Sequence, residues 1–541
     1  GALYWGHRSA QLNGSVITDG NEAPVCTFLY WDTSVNSTNA IPVGAKPVGS
    51  FIYTLTGLNP GASYAYYITA SNTAGVATSL VANFSMHPSP SFLYAATNGN
   101  DTAGTNWATA YSTVQKALNL AETNDTIYLA GHTFGGGNEN PPPQPNNAVL
   151  IWQNATNVTV KGGYDAQAGK GGSDPGMRNA VTELKRTVGN VRVLSMVGLT
   201  NCLMEQVTIR DGINTDTGTG YGPGGGGVYF TNCLDVTLSG CVISNNVNTA
   251  AQIRGSGLCA DDRCRLVLTN STVVGNTMTT PGYQSQGGGI VVLNGARMTV
   301  VRSQIAKNYA SNDGRVGDGG GGGGFTVASG GVLELYETVL NANTNSTAGA
   351  GGAGCNSGTL LLRNCLVSGN YDAANAIGGL NLIAGTATVV NCTFANNGTN
   401  GVRWVAGVAS ITNSIIWGHT LADLTNFPAS TGGVLSNVGY SCFGKVYGKG
   451  YGDSTAVMAN DNPNSHCITN APIFVNAAAG NYRLLTKPVL SPGIDAGLFY
   501  GLSGWMLGDT DLDGARRKQG PNIDMGAYET VPPKGTVILL R

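Results

Sequence analysis

Charge is what this sequence has least of. Lys and Arg number 28 and Asp and Glu 30 in 541 residues, 11% in all, against about 25% in an ordinary soluble domain. The net charge is −2 and no basic block occurs, which sets nucleic acid and anionic membrane aside as main partners. No apolar run approaches the roughly 20 residues of a membrane span. The five histidines are scattered, no HExxH occurs, and the eleven cysteines form no CxxC pair, so no transition-metal site is written in the sequence. The phosphate loop GxxxxGK[ST] is absent too. With 42% hydrophobic residues a sizeable core is available, and the surface must be built from Asn, Ser, Thr and Gly. The chain starts at Gly1 without a basic, apolar leader. The expectation is an exported protein, extracellular or on a cell surface, whose signal has been removed.

Glycine is plentiful instead, at 80 residues, and it is ordered. Six segments share one pattern: VTLSGCVISNN (236–246), LVLTNSTVVGN (266–276), MTVVRSQIAKN (298–308), LELYETVLNAN (333–343), LLLRNCLVSGN (360–370) and ATVVNCTFANN (387–397). The third position is Leu or Val, the sixth small, the eighth apolar. The eleventh is always Asn: Asn246, Asn276, Asn308, Asn343, Asn370 and Asn397. A weaker copy (202–212) precedes them, and another follows and ends at His419. A glycine cluster opens each copy, and GDGGGGGGFTV (317–327) is one of these. Gly227, Gly257, Gly289 and Gly324 each lie 19 residues before the closing Asn. In these four copies length varies only between one Asn and the next cluster.

Each copy is a set of short alternating strands too small to bury its own face, so copies must stack as a solenoid. The recurring Asn suits a left-handed bend and a side-chain ladder from coil to coil. The small sixth position suits a narrow inward corner. Segments 212–224, 247–255, 277–287 and 309–321 are expected to leave the stack at one edge.

With these repeats the chain resembles a right-handed parallel β-helix of secreted bacterial proteins, an all-β fold. FLYAATNGNDTAGTNWATAYSTVQKALNLAETNDTIYLA (92–130) resembles the usual entry of such helices. It carries a capping box at Ser112 and Gln115 and an apolar helix face of Val114, Ala117, Leu118 and Ala121. NYRLLTKPVLSPGIDAG and GDTDLDGARRKQGPNIDMGAYE (481–529) resemble the closing signature of the "choice-of-anchor Q" type. TLTGLNPGASYAYYITASNTAG (54–75) resembles the later strands of a fibronectin type III domain. The resulting domains are a fibronectin type III-like β-sandwich (1–86), a β-helix with a capping helix (92–470) and a closing segment (471–541).

Parallel β-helices often carry polysaccharide lyases and hydrolases, but fold does not imply function. Glycoside hydrolysis needs two carboxylates across a bond, and no column of acids runs down the repeat. Positions five and ten read as outward, with Arg302 and Glu337 one coil apart as a surface ion pair. The candidate acids lie in turns and loops: Asp211, Asp216, Asp261, Asp262, Asp313 and Asp318. INTD (213–216) with the acids at 261–262 resembles polygalacturonase-like hydrolases, whose Gly-His-Gly and Arg-x-Lys elements are missing. Asp509, Asp511 and Asp513 form half a calcium loop, but the closing Glu is replaced by Gly520. Calcium is the one candidate cofactor, and a turn with Asp side chains on backbone amides is the alternative.

Cys241, Cys365 and Cys392 fall at the small sixth position and read as buried thiols. Cys259 and Cys264 flank a turn, and Cys442 and Cys467 bracket a loop, so both pairs are candidate disulfides, with Cys233 competing for Cys264. Loop aromatics Tyr221, Tyr283, Tyr309 and Trp417 suit stacking on sugars. The apolar ends ALYW (2–5) and TVILL (536–540) suit strand addition between copies. The favoured reading is an extracellular structural or adhesive protein that self-associates into a filament or layer without catalysis. The alternatives are a polysaccharide lyase or glycoside hydrolase, and a carbohydrate-binding protein.

Overall fold

The structure is a computed structural model describing residues 4–5, 8–35, 37–86, 91–136, 139, 148–215, 224–249, 255–279, 287–311, 321–346, 352–372, 377–425, 434–447, 465–499 and 510–531. The chain forms two units, one of residues 1–132 and 155–180 and one of 133–154 and 181–541.

The first unit opens with two antiparallel sheets. Strands Tyr4–Trp5, Ser9–Val16 and Gly49–Thr56 make one. Asn39–Ala45, Val25–Asp32, Ser63–Asn72 and Gly75–Thr78 make the other, with Ala82–Ser85 also on Ser63–Asn72. Leu12, Phe28, Leu55, Tyr64, Tyr66 and Phe84 form their core. Farther on, Phe92–Ala95, Thr126–Ala130 and Thr159–Tyr164 pair in parallel. The helix between them is Val114–Leu120, and its N-cap is Thr113, whose hydroxyl accepts the Lys116 amide. The Ser112–Gln115 capping box does not form. The Ser112 hydroxyl donates to Asp101 instead, and Gln115 to Asn119.

The second unit is a right-handed parallel β-helix. Each full coil contributes a strand to three sheets, exemplified by Arg265–Thr269, Thr272–Val274 and Ile290–Val292. The second and third sheets have eleven strands each, or ten steps of about 4.8 Å and roughly 48 Å of stack. The eighth position of the repeat is the inward column of the second sheet, where Ile243, Val273, Ile305, Leu340, Val367 and Phe394 are buried. A fourth set of two-residue strands (213–214, 247–248, 277–278, 309–310, 344–345 and 371–372) follows the Asn position. After these strands the chain re-enters through the glycine clusters at the third sheet, and most of each variable segment between them lies outside the described residues.

The six Asn stack in one buried line. Each Nδ2 donates to Oδ1 of the Asn one coil on, at 2.8–3.0 Å. The backbone amide of each donates to that same oxygen at 2.9–3.1 Å. The second Nδ2 hydrogen goes to a carbonyl of the preceding coil at 2.8–3.2 Å. The side-chain amides thereby satisfy themselves inside an apolar stack.

The ladder starts where the Gly212 amide donates to Asn246. It ends on His419, whose Nε2 lies 3.4 Å from Asn397 Nδ2. Asn397 Nδ2 can only donate, so His419 Nε2 is the accepting nitrogen and Nδ1 donates to Asp423 at 2.8 Å. The other Asp423 oxygen accepts the Gly444 and Lys445 amides.

The Asn itself is not the left-handed residue. The bend is at position ten, where Asn245, Gly275, Lys307, Ala342, Gly369 and Asn396 have φ of 53–66°. Position five is left-handed as well, through Gly240, Asn270, Arg302, Glu337, Asn364 and Asn391. These two columns are corners, not outward strand positions.

The glycine clusters answer to the ladder. A Cβ on Gly227, Gly257 or Gly289 would stand 2.6–3.0 Å from Nδ2 of Asn246, Asn276 or Asn308 and within 2.6 Å of the next glycine's carbonyl oxygen. The constant spacing of 19 residues joins two groups that touch.

Replacing Asn308 by Ala orphans the Asn276 backbone amide, one Asn276 Nδ2 hydrogen and the Val273 carbonyl. The expected loss is about 3 kcal/mol in chemical denaturation. The isosteric Asn308→Asp, which has no hydrogen to give Asn343 or Val273, is expected to lose at least as much. An unchanged Asn308→Asp would show that the two hydrogens donated by the side chain contribute nothing to stability.

Candidate functional site

Besides the Asn ladder, three groupings of polar side chains bear on the candidate residues. The first is a second ladder at position six. The Ser271, Ser303, Ser414 and Ser441 hydroxyls each accept a backbone amide from the preceding coil at 3.0–3.1 Å. Each donates to the carbonyl two residues before it at 2.7–2.9 Å. Thr338 does the same at 3.4 and 2.8 Å, and Cys241, Cys365 and Cys392 place thiols there with the same donation. What the column shares is a short side chain that both donates and accepts, a property visible in its residues and easily mistaken for mere smallness.

The second is a charge cluster at the start of the stack. Arg210 makes a bidentate pair with Glu183 at 2.7 and 2.9 Å, and its Nη1 reaches Asp211 at 2.8 Å. Lys185 stands 3.3 Å from Asp211. The Arg210 guanidinium holds the Glu183 carboxyl below its ordinary value. A guanidinium therefore binds both carboxylates of the cluster, where glycoside hydrolysis would need a sugar between them.

Asp261 and Asp262 lie at another corner, after a third-sheet strand. Asp261 accepts from Asn294 Nδ2 at 2.7 Å, from the Asp262 amide at 2.8 Å and from the Tyr229 hydroxyl at 3.4 Å. Asp262 and Arg263 are both left-handed turn residues. Asp211 is thus not brought together with Asp261 or Asp262. Asp216, Asp313 and Asp318 lie outside the described residues, as do Tyr221 and Tyr283. The outward column of the third sheet includes Thr326, Asn381 and Arg403, all buried.

The third place is the closing segment, which runs back over the outer face of the second sheet. Tyr482, Ala527 and Tyr528 pack on Leu366 and Ala395, and Leu484 and Met525 on Ile415 and Cys442, with Trp417 at the edge. Corner residues of the coils hold it. Asn364 donates to the Thr510 carbonyl at 2.7 Å, Asn413 to Leu498 at 3.0 Å, and Thr510 donates to Glu337 at 2.7 Å. Glu337 does pair with Arg302 at 2.7 Å. It is not a surface residue, however, because the closing segment buries it.

Asp511 accepts the amides of Asp513 and Ala515 on one oxygen and that of Glu529 on the other. Asp513 pairs with Arg483. The aspartates of the half calcium loop that lie within the described residues thus face amides and a guanidinium, as in the turn alternative, and Asp509 lies outside those residues. Among the described residues no group of three His, Cys, Asp or Glu is placed to hold a metal.

Arg517, Asp524 and Glu529 are buried beside them. Arg517 donates to the carbonyls of Gly526 and Asp524. Asp524 accepts the Asp495 and Thr530 amides. The residues of the closing signature are those that build this knot.

Cys233, Cys259, Cys264, Cys442 and Cys467 are free thiols, so neither candidate disulfide is formed. Cys259 packs outward with Tyr229 and Val291, while the Cys264 thiol accepts the Cys233 amide at 3.2 Å. Cys442 donates to the Asn470 carbonyl and Cys467 to that of Val438. Burial pushes Cys442 up to about 12.

The family model for the right-handed β-helix region matches residues 147–437. No curated protein matches the sequence. Among solved structures the chain is similar to pectate lyase Pel9A, at 12% identity and a TM-score of 0.37, over 81% of this chain and 96% of that one. It is similar to the Yersinia enterocolitica family 28 exopolygalacturonase at 10% identity and a TM-score of 0.24, over 83% and 94%. A rhamnogalacturonan lyase aligns at 13% identity and a TM-score of 0.29, over 65% and 87%. Likeness at this level speaks to neither substrate nor reaction. No helix among the described residues is long and apolar enough to cross a membrane.

Burial pushes the Glu529 carboxyl up to about 8, against the pull of Arg517. The folded state then holds this proton more tightly than the unfolded chain, where a Glu titrates near 4.3. Its contribution is full below that value and is lost as pH rises through about 8. Hydrogen exchange in 474–484 is expected to speed up from pH 5 to pH 9 beyond the intrinsic chemical rate, and Glu529→Gln should flatten that rise. An equal rise in Glu529→Gln would place the pH response elsewhere.

Proposed function

Because the chain belongs to the right-handed β-helix family, its role turns on what the coils leave for a ligand, and we propose that it is an extracellular structural or adhesive protein with no chemistry of its own. The observation that carries this reading is the commitment of its polar columns. The Asn and hydroxyl ladders bond along the stack, and the corner residues Glu337, Asn364 and Asn413 bond the closing segment. Asp211 is bound by Arg210 and Lys185, and Asp261 by turn donors. A surface low in charge and rich in Asn, Ser, Thr and Gly suits a protein that works outside the cell.

The finer reading of the ends belongs to the same proposal. The first residues form a fibronectin type III-like module, supported by the Asn59 amide donating to the Tyr64 hydroxyl at 2.9 Å, as in the tyrosine corner of such sandwiches. The closing knot is of the choice-of-anchor Q type. The protein works by associating with copies of itself.

The test is a panel of acidic and neutral polysaccharides, assayed for new reducing ends and for unsaturated uronate products. No turnover above buffer is expected. Turnover that Asp211→Asn or Asp261→Asn abolishes in a folded protein would overturn the structural reading in favour of a lyase or hydrolase.

A further inference from the structure

The self-association proposed above, on which this inference rests, has a candidate contact in the N-terminal sheets. Strand Gly49–Thr56 pairs along its whole length with Ser9–Val16, Gly49 opposite Val16 and Thr56 opposite Ser9. Among the described residues no strand lies on its other side. In an antiparallel ladder every second residue turns its N–H and C=O away from the paired strand, so about half of these backbone groups face outward along the edge. The edge is open to water: Gly49, Ser50, Ile52, Thr54 and Thr56 are exposed, Ile52 by 57%. The other edges of the two sheets carry devices that keep strands apart. Asn39–Ala45 has Pro42 and a register shift against Val25–Asp32. Gly75–Thr78 and Ala82–Ser85 are four residues long, and Tyr4–Trp5 is two. Gly49–Thr56 has eight residues with no proline, no charge and no register shift. Phe51 and Tyr53 turn inward onto Phe28 and Leu55 is buried, which leaves Ser50, Ile52, Thr54 and Thr56 on the outer face. Lys46, just before the strand, lies over the Phe51 ring with Nζ 5.6 Å from its centroid.

We infer that Gly49–Thr56 pairs with the same strand of a second copy, antiparallel about a two-fold axis, joining the three-stranded sheets of both copies edge to edge. The strand is its own complement. A two-fold axis normal to the sheet keeps both outer faces on one side, and the side chains match when Ile52 stands opposite Ile52 or Thr54 of the second copy. Either match sets β-branched residues side by side, which stabilises a sheet, and no like charges meet. A foreign peptide would need pockets or charges to select it. An outer row of Ser, Ile and Thr supplies neither, whereas an identical strand needs only matching length and a free edge. The contact is isologous and uses up the edge on both sides, so it closes at two chains.

The test uses the full-length protein with Ile52→Lys, Thr54→Lys or Val76→Lys, each of which changes a side chain already in solvent. Light scattering over a concentration series should show the parent rising from the mass of one chain to that of two and stopping there. Ile52→Lys and Thr54→Lys bring ammonium groups together across the two-fold axis, and both should keep the mass of one chain with unchanged melting. Val76→Lys removes a still more exposed apolar side chain, at 71%, from the other sheet and should associate like the parent. Ile52→Lys and Thr54→Lys that associate like the parent would overturn the edge contact while leaving self-association standing. A parent that is single at every concentration would overturn self-association itself.

Discussion

The second unit depends on one constraint: a primary amide buried away from water must find partners for both its hydrogens and its oxygen, and here an identical amide one strand spacing away supplies part of them. The Asn ladder meets this condition for six coils. Each Asn needs a left-handed residue just before it to aim its side chain inward. In three coils a glycine stands beside the Asn, where a Cβ would collide with Nδ2. Where the coil changes, the ladder closes on His419, held in one tautomer by Asp423. The apolar columns gain burial from stacking but tolerate small shifts along the axis. The amides do not, so they hold the register within which the hydrophobic core packs.

The same economy shapes the rest of the unit. Position six repeats the ladder with hydroxyls and thiols, and position five turns the chain and then binds the closing segment. Several of the buried ionic groups lie where the closing segment docks: Glu337 against Thr510, and Arg517 among Asp511, Asp524 and Glu529. Burial of such groups costs free energy unless each is hydrogen-bonded, and the closing signature supplies those partners. These groups tie the chain to itself, which is the basis for reading the protein as a scaffold.

Much of this was legible in the sequence because a solenoid writes each contact many times. The column of Asn, the eighth-position apolar residues and the 19-residue spacing to glycine are visible without coordinates. The left-handed corners were legible too, since Gly and Asn dominate positions five and ten, but Arg302, Glu337, Lys307 and Ala342 obscure the pattern. Glu337 looked exposed because the segment that buries it lies far along the chain. The neighbour of Cys264 is Cys233, one coil away, although Cys259 is closer in sequence. Single-copy features, such as the acids at 211 and 261, carry no periodic signal to say which corner they occupy.

Hydrogen exchange of the unmodified protein tests the central claim most directly. If the ladder fixes the register, the amides of Asn276, Asn308, Asn343 and Asn370 exchange together, and only through opening of the whole stack. Their rates should then share one denaturant dependence, with the turn amides at 261–263 exchanging far sooner. Ladder amides that exchange coil by coil, or as early as those turns, would contradict the account.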